Sequence, residues 1–497
     1  MWAGRLPTSM TWFRSEGYAL TRLVFARSLG VVYLIAFLNA VNQFRPLLGD
    51  RGLLPVRLFV RNATFREAPS LFIFFPHDRA FAIGAWVGVA LSCVVVSGIA
   101  DAFGTWMVAL VWALMWALYL SFVNVGQTFY GFGWESILLE AGFYSIFLGG
   151  RYTNPPVILI FLERWLLFRV MFGAGLIKMR GDPCWRHLTC LNYFYETQPM
   201  PNPLSWFFNW GPQWTKSGGV LFNHFSELIV PFGYFFPQPV AMIAGLITIA
   251  FQLTIFASGN LSWLNFLTMV LAIPTLDDRF FEKLGLHAPP ANPPALAYRG
   301  VVYALAALVA YLSIQPIRNM ISPNQVMNTV YNRLHLVGTY GAFGSITRPR
   351  YEVIVEGTDE NVILPSTKWR EYEFKAKPGA TGRMPPQIAP YHLRLDWLMW
   401  FAALSNYDQH PWFVNFMAKL LENDRPVLGL LRTNPFPDAP PKFVRAELFE
   451  YHFTTPRERS QTGQWWKRQF VDHYFPPVSL SDPRFRGLLE RQGWLEP

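Results

Sequence analysis

Charge is what this sequence is short of. Only 15% of its 497 residues are Asp, Glu, Lys or Arg, against about 25% in a typical soluble domain. Four stretches, 80–100, 102–134, 228–276 and 300–317, contain no charged residue. A helix crosses the hydrocarbon with about 20 apolar residues, so these stretches predict a membrane protein. The longest is sufficient for two crossings, with Ser258-Gly259-Asn260 as the turn between them.

Cysteine is scarce too, with three in the chain. Cys93 lies in an apolar stretch and reads as packing. Cys184 and Cys190 are spaced C-x5-C rather than C-x-x-C, which speaks against thioredoxin-like redox chemistry. There is no G-x-S-x-G elbow, no H-E-x-x-H, no phosphate-binding Walker loop and no G-x-G-x-x-G opening a helix after a strand. The net charge of +10 is not gathered into one basic face, so no nucleic-acid partner is expected. Residues 1–17 lack the apolar core and small-residue cleavage site of a signal peptide. The first span therefore reads as an uncleaved anchor.

Hydrophobic residues make up 52% of the chain and aromatic residues 17%. They predict a polytopic α-helical membrane domain over 1–315 with about nine spans. These are 18–41, 80–100, 103–122, 134–149, 156–178, 219–236, 239–257, 261–276 and 298–315. Residues 316–497 differ in character and read as a soluble α+β domain. The runs "RYEVIVEG", "WREYEFKAKP" and "FVRAELFEYHFTTP" look like strands. "YHLRLDWLMWFAALS" and "PWFVNFMAKLLEND" look like amphipathic helices. Gly84 and Gly88 form a G-x-x-x-G, which suggests helix packing at most.

The fourth and fifth spans carry charges. Glu135 and Glu140 lie in one, and Glu163, Arg164 and Arg169 in the other. A carboxylate at the bilayer centre costs roughly 3 kcal/mol. The connection between these spans is short, so they should form an antiparallel hairpin. One register would pair Glu140 with Arg164 and Glu135 with Arg169, because both index sums are 304. We read this as a polar clamp that fixes helix register, with a proton relay as the alternative. His224 and Glu227, spaced i,i+3, read as a hydrogen-bonded pair. No third ligand stands beside them, so no metal is expected.

Two long blocks carry a family resemblance. One is "RVMFGAGLIKMRGDPCWRHLTCLNYFYETQPMPNPLSWFFNW". The other begins at "YGAFGSITRPRYEVIVEGTDE" and runs through "NPFPDAPPKFVRAELFEYHFT". With "GQTFYGFGWESILLEAGF" they resemble the lipase maturation factor family over nearly the whole chain. The resemblance implies a multi-pass protein of the endoplasmic reticulum membrane, or of a bacterial cytoplasmic membrane with its tail outside. It implies assistance to the folding and assembly of secreted lipases, with no cofactor. The C-terminal domain would face the client, and Trp397, Trp400 and Phe401 could form an exposed client surface or simply be core. A remoter similarity links "AGLIKMRGDPCW" to vitamin K-dependent carboxylases and related membrane domains. It implies an alternative, a quinol-dependent or carboxylase-like enzyme with Lys178 as base. A snorkelling interfacial lysine is the bland reading of the same residue. A transporter should show paired interrupted half-helices, and none is seen.

Topology is contested within the sequence. Residues 42–79 hold Arg45, Arg51, Arg57, Arg61, Arg66 and Arg79, which by the positive-inside rule would make that side cytoplasmic. The resemblance, and the sequon Asn62-Ala63-Thr64, make it lumenal. Cys184 and Cys190 are close enough to bridge if that side is oxidising, and would be two free thiols if it is cytosolic.

Overall fold

The computed structural model of the protein describes residues 17–495. All nine predicted apolar segments are helical. They are α1 (Ala19–Leu48), α2 (Asp78–Ser97), α3 (Thr105–Val125), α4 (Gly133–Ser145), α5 (Val157–Arg180), α6 (Gln213–His224), α7 (Val240–Ser258), α8 (Leu264–Ala272) and α9 (Leu296–Leu312). Helix α6 continues through a π turn, Phe225–Ile229, to Gly233.

Among the described residues, five helices are long and apolar enough to cross a bilayer: α1, α2, α3, α7 and the run Leu296–Ile321. By this criterion the expected count of nine spans is not confirmed. Helices α4 and α8 have 13 and 9 residues, short of about 20. Helix α5 has 24 residues but carries Glu163, Arg164, Arg169, Lys178 and Arg180. Apolar side chains point outward from the long helices, among them Trp86, Trp106, Leu110, Ile243, Leu253 and Tyr303. That is the surface a bilayer covers and water does not.

Helix α1 is central. Its Phe44 meets Phe122 of α3 at 4.8 Å between ring centroids, and Phe37 meets Tyr119 at 5.4 Å. The G-x-x-x-G of α2 is what brings α1 close. A Cβ on Gly88 would lie 2.3 Å from the Phe37 ring, so only glycine fits there.

The C-terminal part is built on a four-stranded antiparallel sheet in the order β2-β1-β3-β4. The strands are β1 (Arg350–Thr358), β2 (Arg370–Glu371), β3 (Phe443–Phe453) and β4 (Trp466–Val478). Between β2 and β3 lie α11 (Arg394–Ala402) and α12 (Pro411–Leu421), both largely buried; α10 (Ile314–Ile321) ends the membrane half. "WREYEFKAKP" yields only the two residues of β2. The rest is held by other partners: Asp396 accepts from the Ala376 and Lys377 amides at 2.7 and 3.0 Å. Strand β4 was not expected. It has no clean alternation and contains Pro476 and Pro477, which an edge strand tolerates.

The boundary drawn at 315/316 falls inside the helical run Leu296–Ile321. Contacts continue past it. The Asn124 amide donates to the Arg333 carbonyl at 3.1 Å, and Gln325 to the Gly173 carbonyl at 3.0 Å. One continuous hydrophobic core runs from Phe25 in α1 to Leu489 near the C-terminus.

Candidate functional site

Residues five apart on a helix point about 140° away from each other. Glu135 and Glu140 therefore cannot both face α5, and the expected register is not the one observed. Glu140 pairs with Arg169, whose Nη1 is 3.2 Å from Oε2 and whose Nη2 contacts Oε1. The same carboxylate accepts from the hydroxyls of Tyr144 and Tyr340 at 2.5 and 2.7 Å. Arg169 also donates to the Gly338 carbonyl at 2.7 Å. Three segments thus meet at one buried ion pair: α4, α5 and the stretch after α10.

Glu135 takes its partner from farther away. Arg394, at the start of α11, donates from Nη1 to Oε1 at 2.8 Å, and Tyr119 donates to Oε2. Arg394 is fully enclosed. Its Nε donates to Asn39 Oδ1 at 2.8 Å, its Nη1 to the Phe129 carbonyl at 2.7 Å, and its guanidinium lies 3.5 Å from the Tyr130 ring centroid. The His392 carbonyl accepts from both Asn39 and Gln43. Arg164 pairs with neither acid. It donates to the carbonyls of Pro274 and Tyr234 and to the Tyr18 hydroxyl, at 2.8, 3.0 and 3.0 Å. Among the described residues Glu163 has no hydrogen-bond partner on either oxygen.

At this end of the bundle lies a cavity of about 920 Å³. Its walls come from α4–α8, the segment around 185–219, residues 327–345 and α11. Most of the lining is aromatic or aliphatic, with Trp134, Phe194, Phe222, Phe251 and Leu261 as examples. A cavity of a few hundred to a thousand Å³ with a few convergent polar groups is the usual form of a small-molecule site.

Its polar end is Lys178. The snorkelling position does not apply, because Lys178 is buried. Nζ donates to Glu227 Oε1 at 2.5 Å and to Asn223 Oδ1 at 3.0 Å, and lies 5.1 Å from the Trp185 ring centroid. Asn223 Nδ2 donates in turn to Glu227 Oε2 at 3.0 Å. Glu227 and His224 do not bond to each other. His224 Nε2 donates to the Trp185 carbonyl at 3.0 Å, because the π turn directs Glu227 toward α5. Farther along the wall are Gln252 and Asn265, joined at 2.7 Å. Asn39, Gln43, Asn223, Gln252 and Asn265 went unremarked in the sequence. Their signal was present: amides in otherwise apolar helices.

Cys184 and Cys190 are joined in a disulfide with Cα atoms 4.8 Å apart. Asp182 caps the short helix Pro183–Arg186 that contains Cys184, accepting from the Cys184 amide at 2.9 Å, and forms a two-pronged bridge to Arg348 at 2.8 and 2.9 Å. Those hydrogen bonds from Arg348 hold the Asp182 carboxyl down at about 2. Asp182, Cys184 and Cys190 form a group with the spacing of metal ligands among the described residues, but both sulfurs are committed to the disulfide.

Trp397 is core rather than surface. It is 3% exposed and stacks edge-on with Trp134 at 5.0 Å. Trp400 is half-buried and donates to the Thr197 carbonyl at 3.2 Å. Phe401, at 39%, is the exposed member of the three. All three line the cavity. Trp397 is the most enclosed of the three because Trp134, Phe132 and His392 pack against its ring.

Two protein families match this chain. The lipase maturation factor transmembrane domain covers residues 20–283, and the lipase maturation factor C-terminal domain covers 336–476. Lipase maturation factor 1 of Homo sapiens is 42% identical over 525 residues, covering 96% of this chain and 91% of that protein. Lipase maturation factor 1 of Mus musculus is 41% identical, covering 96% and 89%. Lipase maturation factor 2 of Xenopus tropicalis is 28% identical, covering 95% and 84%. No solved structure matches.

Proposed function

The chain belongs to the lipase maturation factor family, and from that premise we propose that it is a membrane-anchored folding and assembly factor for secreted lipases. The observation that carries the reading is the 42% identity to a lipase maturation factor across 96% of the chain. The client meets the C-terminal part, which faces the lumen of the endoplasmic reticulum, or the outside of a bacterial cell. The disulfide Cys184–Cys190 supports this orientation. It lies at the same end of the bundle as the C-terminal part, where Asp182 bonds Arg348, and a structural disulfide persists in an oxidising compartment.

With Trp397 buried, the client surface moves to the sheet edge. Among the described residues, strand β4 has no neighbouring strand on its outer side. Residues 469–473 are exposed in succession, with Phe470 at 48% and Val471 at 43%. An open edge presents backbone N–H and C=O groups to an extended partner, and the apolar side chains add contact area. A partly assembled client exposes apolar segments of that kind.

The test is co-expression of a secreted lipase with this protein in cells lacking their own factor. Secreted lipase activity should rise with the intact chain and fall back with Phe470→Ser/Val471→Ser at equal protein level. Unchanged rescue by that variant would move the contact off β4. No rescue by the intact chain would remove the maturation reading for that client. Protease accessibility of the C-terminal part in sealed vesicles tests the orientation separately.

The carboxylase-like alternative gains nothing from the geometry of Lys178. Its amine is held by Glu227 and Asn223, a pairing that accounts for the buried lysine without any role as a base.

A further inference from the structure

The 920 Å³ cavity has a polar inventory that the maturation reading does not use. Lys178 makes two hydrogen bonds, and an ammonium has three donors. Its third has no oxygen or nitrogen partner among the described residues. Three further lining residues each carry a buried atom without a hydrogen-bond partner: Asn265 Oδ1, on a residue 2% exposed, Trp397 Nε1, on a residue 3% exposed, and Trp134 Nε1, on a residue 7% exposed. A buried polar atom without a partner costs roughly 1–3 kcal/mol. These three atoms around one apolar space, with the spare donor of Lys178, form a set of contacts waiting for a ligand.

The set also restricts the ligand. Lys178 and Glu227 neutralise each other, so an ionised headgroup would be buried without a counter-charge. The free donors, on Lys178, Trp397 and Trp134, call for ester or carbonyl oxygens, and the free acceptor on Asn265 calls for a hydroxyl. The remaining wall calls for a hydrocarbon body. The cavity borders the lipid-facing surface, since the lining residue Thr254 of α7 is exposed and its neighbour Leu253 faces outward. Exposed Leu204, Phe207 and Phe208 also line the cavity.

We propose that this cavity binds a neutral membrane lipid of the acylglycerol type, with its ester and hydroxyl oxygens at Lys178, Trp397 and Asn265 and its chains along the aromatic wall. The lipid enters from the bilayer past Thr254. This binding is independent of which client, if any, meets the C-terminal part. Ordering α11 through Trp397, it would fasten the C-terminal part to the bundle.

The test uses the full chain in nanodiscs and three photoactivatable probes: a diacylglycerol, a quinone with a prenyl tail, and a phosphatidic acid as the anionic control. Cross-linked peptides are mapped by mass spectrometry. Diacylglycerol should label 204–219 and 251–268. Ala174→Trp, which fills the cavity, should abolish that labelling while leaving the labelling of outward helix faces unchanged. If Ala174→Trp does not fold, Thr254→Trp at the exposed mouth serves instead. Trp397→Phe removes one donor and keeps the ring; labelling should fall about ten-fold, the equivalent of ~1.4 kcal/mol. Preferential labelling by the quinone would keep the neutral-lipid site but replace the acylglycerol. Equal labelling by phosphatidic acid, or diacylglycerol labelling indifferent to Ala174→Trp and Thr254→Trp, would overturn the proposal.

Discussion

Arg394→Met would leave Glu135 enclosed by α1, α3 and α11 with the Tyr119 hydroxyl as its one remaining hydrogen-bond donor among the described residues, and His392 Nδ1 4.0 Å away. Removing one partner of a buried pair typically costs ~3–5 kcal/mol, because the remaining charge is stranded. The unfolding entropy of proteins is about 2.1 cal/mol/K per residue; over 497 residues this is ~1 kcal/mol/K, so the melting point should drop by about 3–5 °C. The double variant Glu135→Met/Arg394→Met has no charge to strand. It still leaves Asn39 Oδ1, the Phe129 carbonyl and the Tyr119 hydroxyl without their bonds, so some loss persists. It should nevertheless be more stable than Arg394→Met by roughly 2 kcal/mol, since replacing a buried pair by apolar residues is often near neutral. The assay is intrinsic tryptophan fluorescence during heating in detergent. Trp134 and Trp397 stack beside the site, so a local loosening is visible. A coupling energy below ~0.5 kcal/mol between the two positions would refute the idea that this pair fastens the C-terminal part to the bundle.

Arg164→Lys should lower thermal stability by ~1–3 kcal/mol, because one ammonium cannot span the three directions toward Pro274, Tyr234 and Tyr18; a melting curve superimposable on the parent would contradict this. Glu163→Leu should be neutral or stabilising, since the acid has no bond to lose among the described residues, and a drop of several degrees would reveal a partner. Cys184→Ser/Cys190→Ser should cost roughly 2 kcal/mol from the entropy of closing so small a loop; peptide mapping with thiols blocked before lysis should find the 184–190 cross-link in the parent. His452 is raised above its ordinary value by its hydrogen bond to Glu196, with Glu450 adding to the effect. The sign follows: the contact stabilises fully below the unfolded value near 6.5 and is lost as pH rises through the raised folded value. Hydrogen exchange at 191–197 and around Phe453 should therefore quicken as pH rises through that window beyond its intrinsic pH dependence, and His452→Gln should remove the extra step.

The sequence by itself determined the elements and their apolar faces. Long uncharged runs become helices because the hydrocarbon tolerates no unpaired backbone. The β-branched and aromatic runs "RYEVIVEG" and "FVRAELFEYHF" become β1 and β3, with β1 buried along nearly its whole length and β3 only in part. Partnering was decided by tertiary structure. Glu135 and Arg394 lie 259 residues apart, and index sums within a hairpin could not reach that far. The 140° between residues five apart turns one acid of α4 toward α5 and the other toward α11. Burial of Trp397 depends likewise on what lies across from it, Trp134 and His392. The cavity is wholly a tertiary object. Lys178, Asn223 and Asn265 are each unremarkable in their own helix, and they become one site only because the bundle leaves a space between α5, α6 and α8 that α11 and the segment after α10 close over. Local pattern fixes which face of an element is buried; packing geometry fixes what it is buried against.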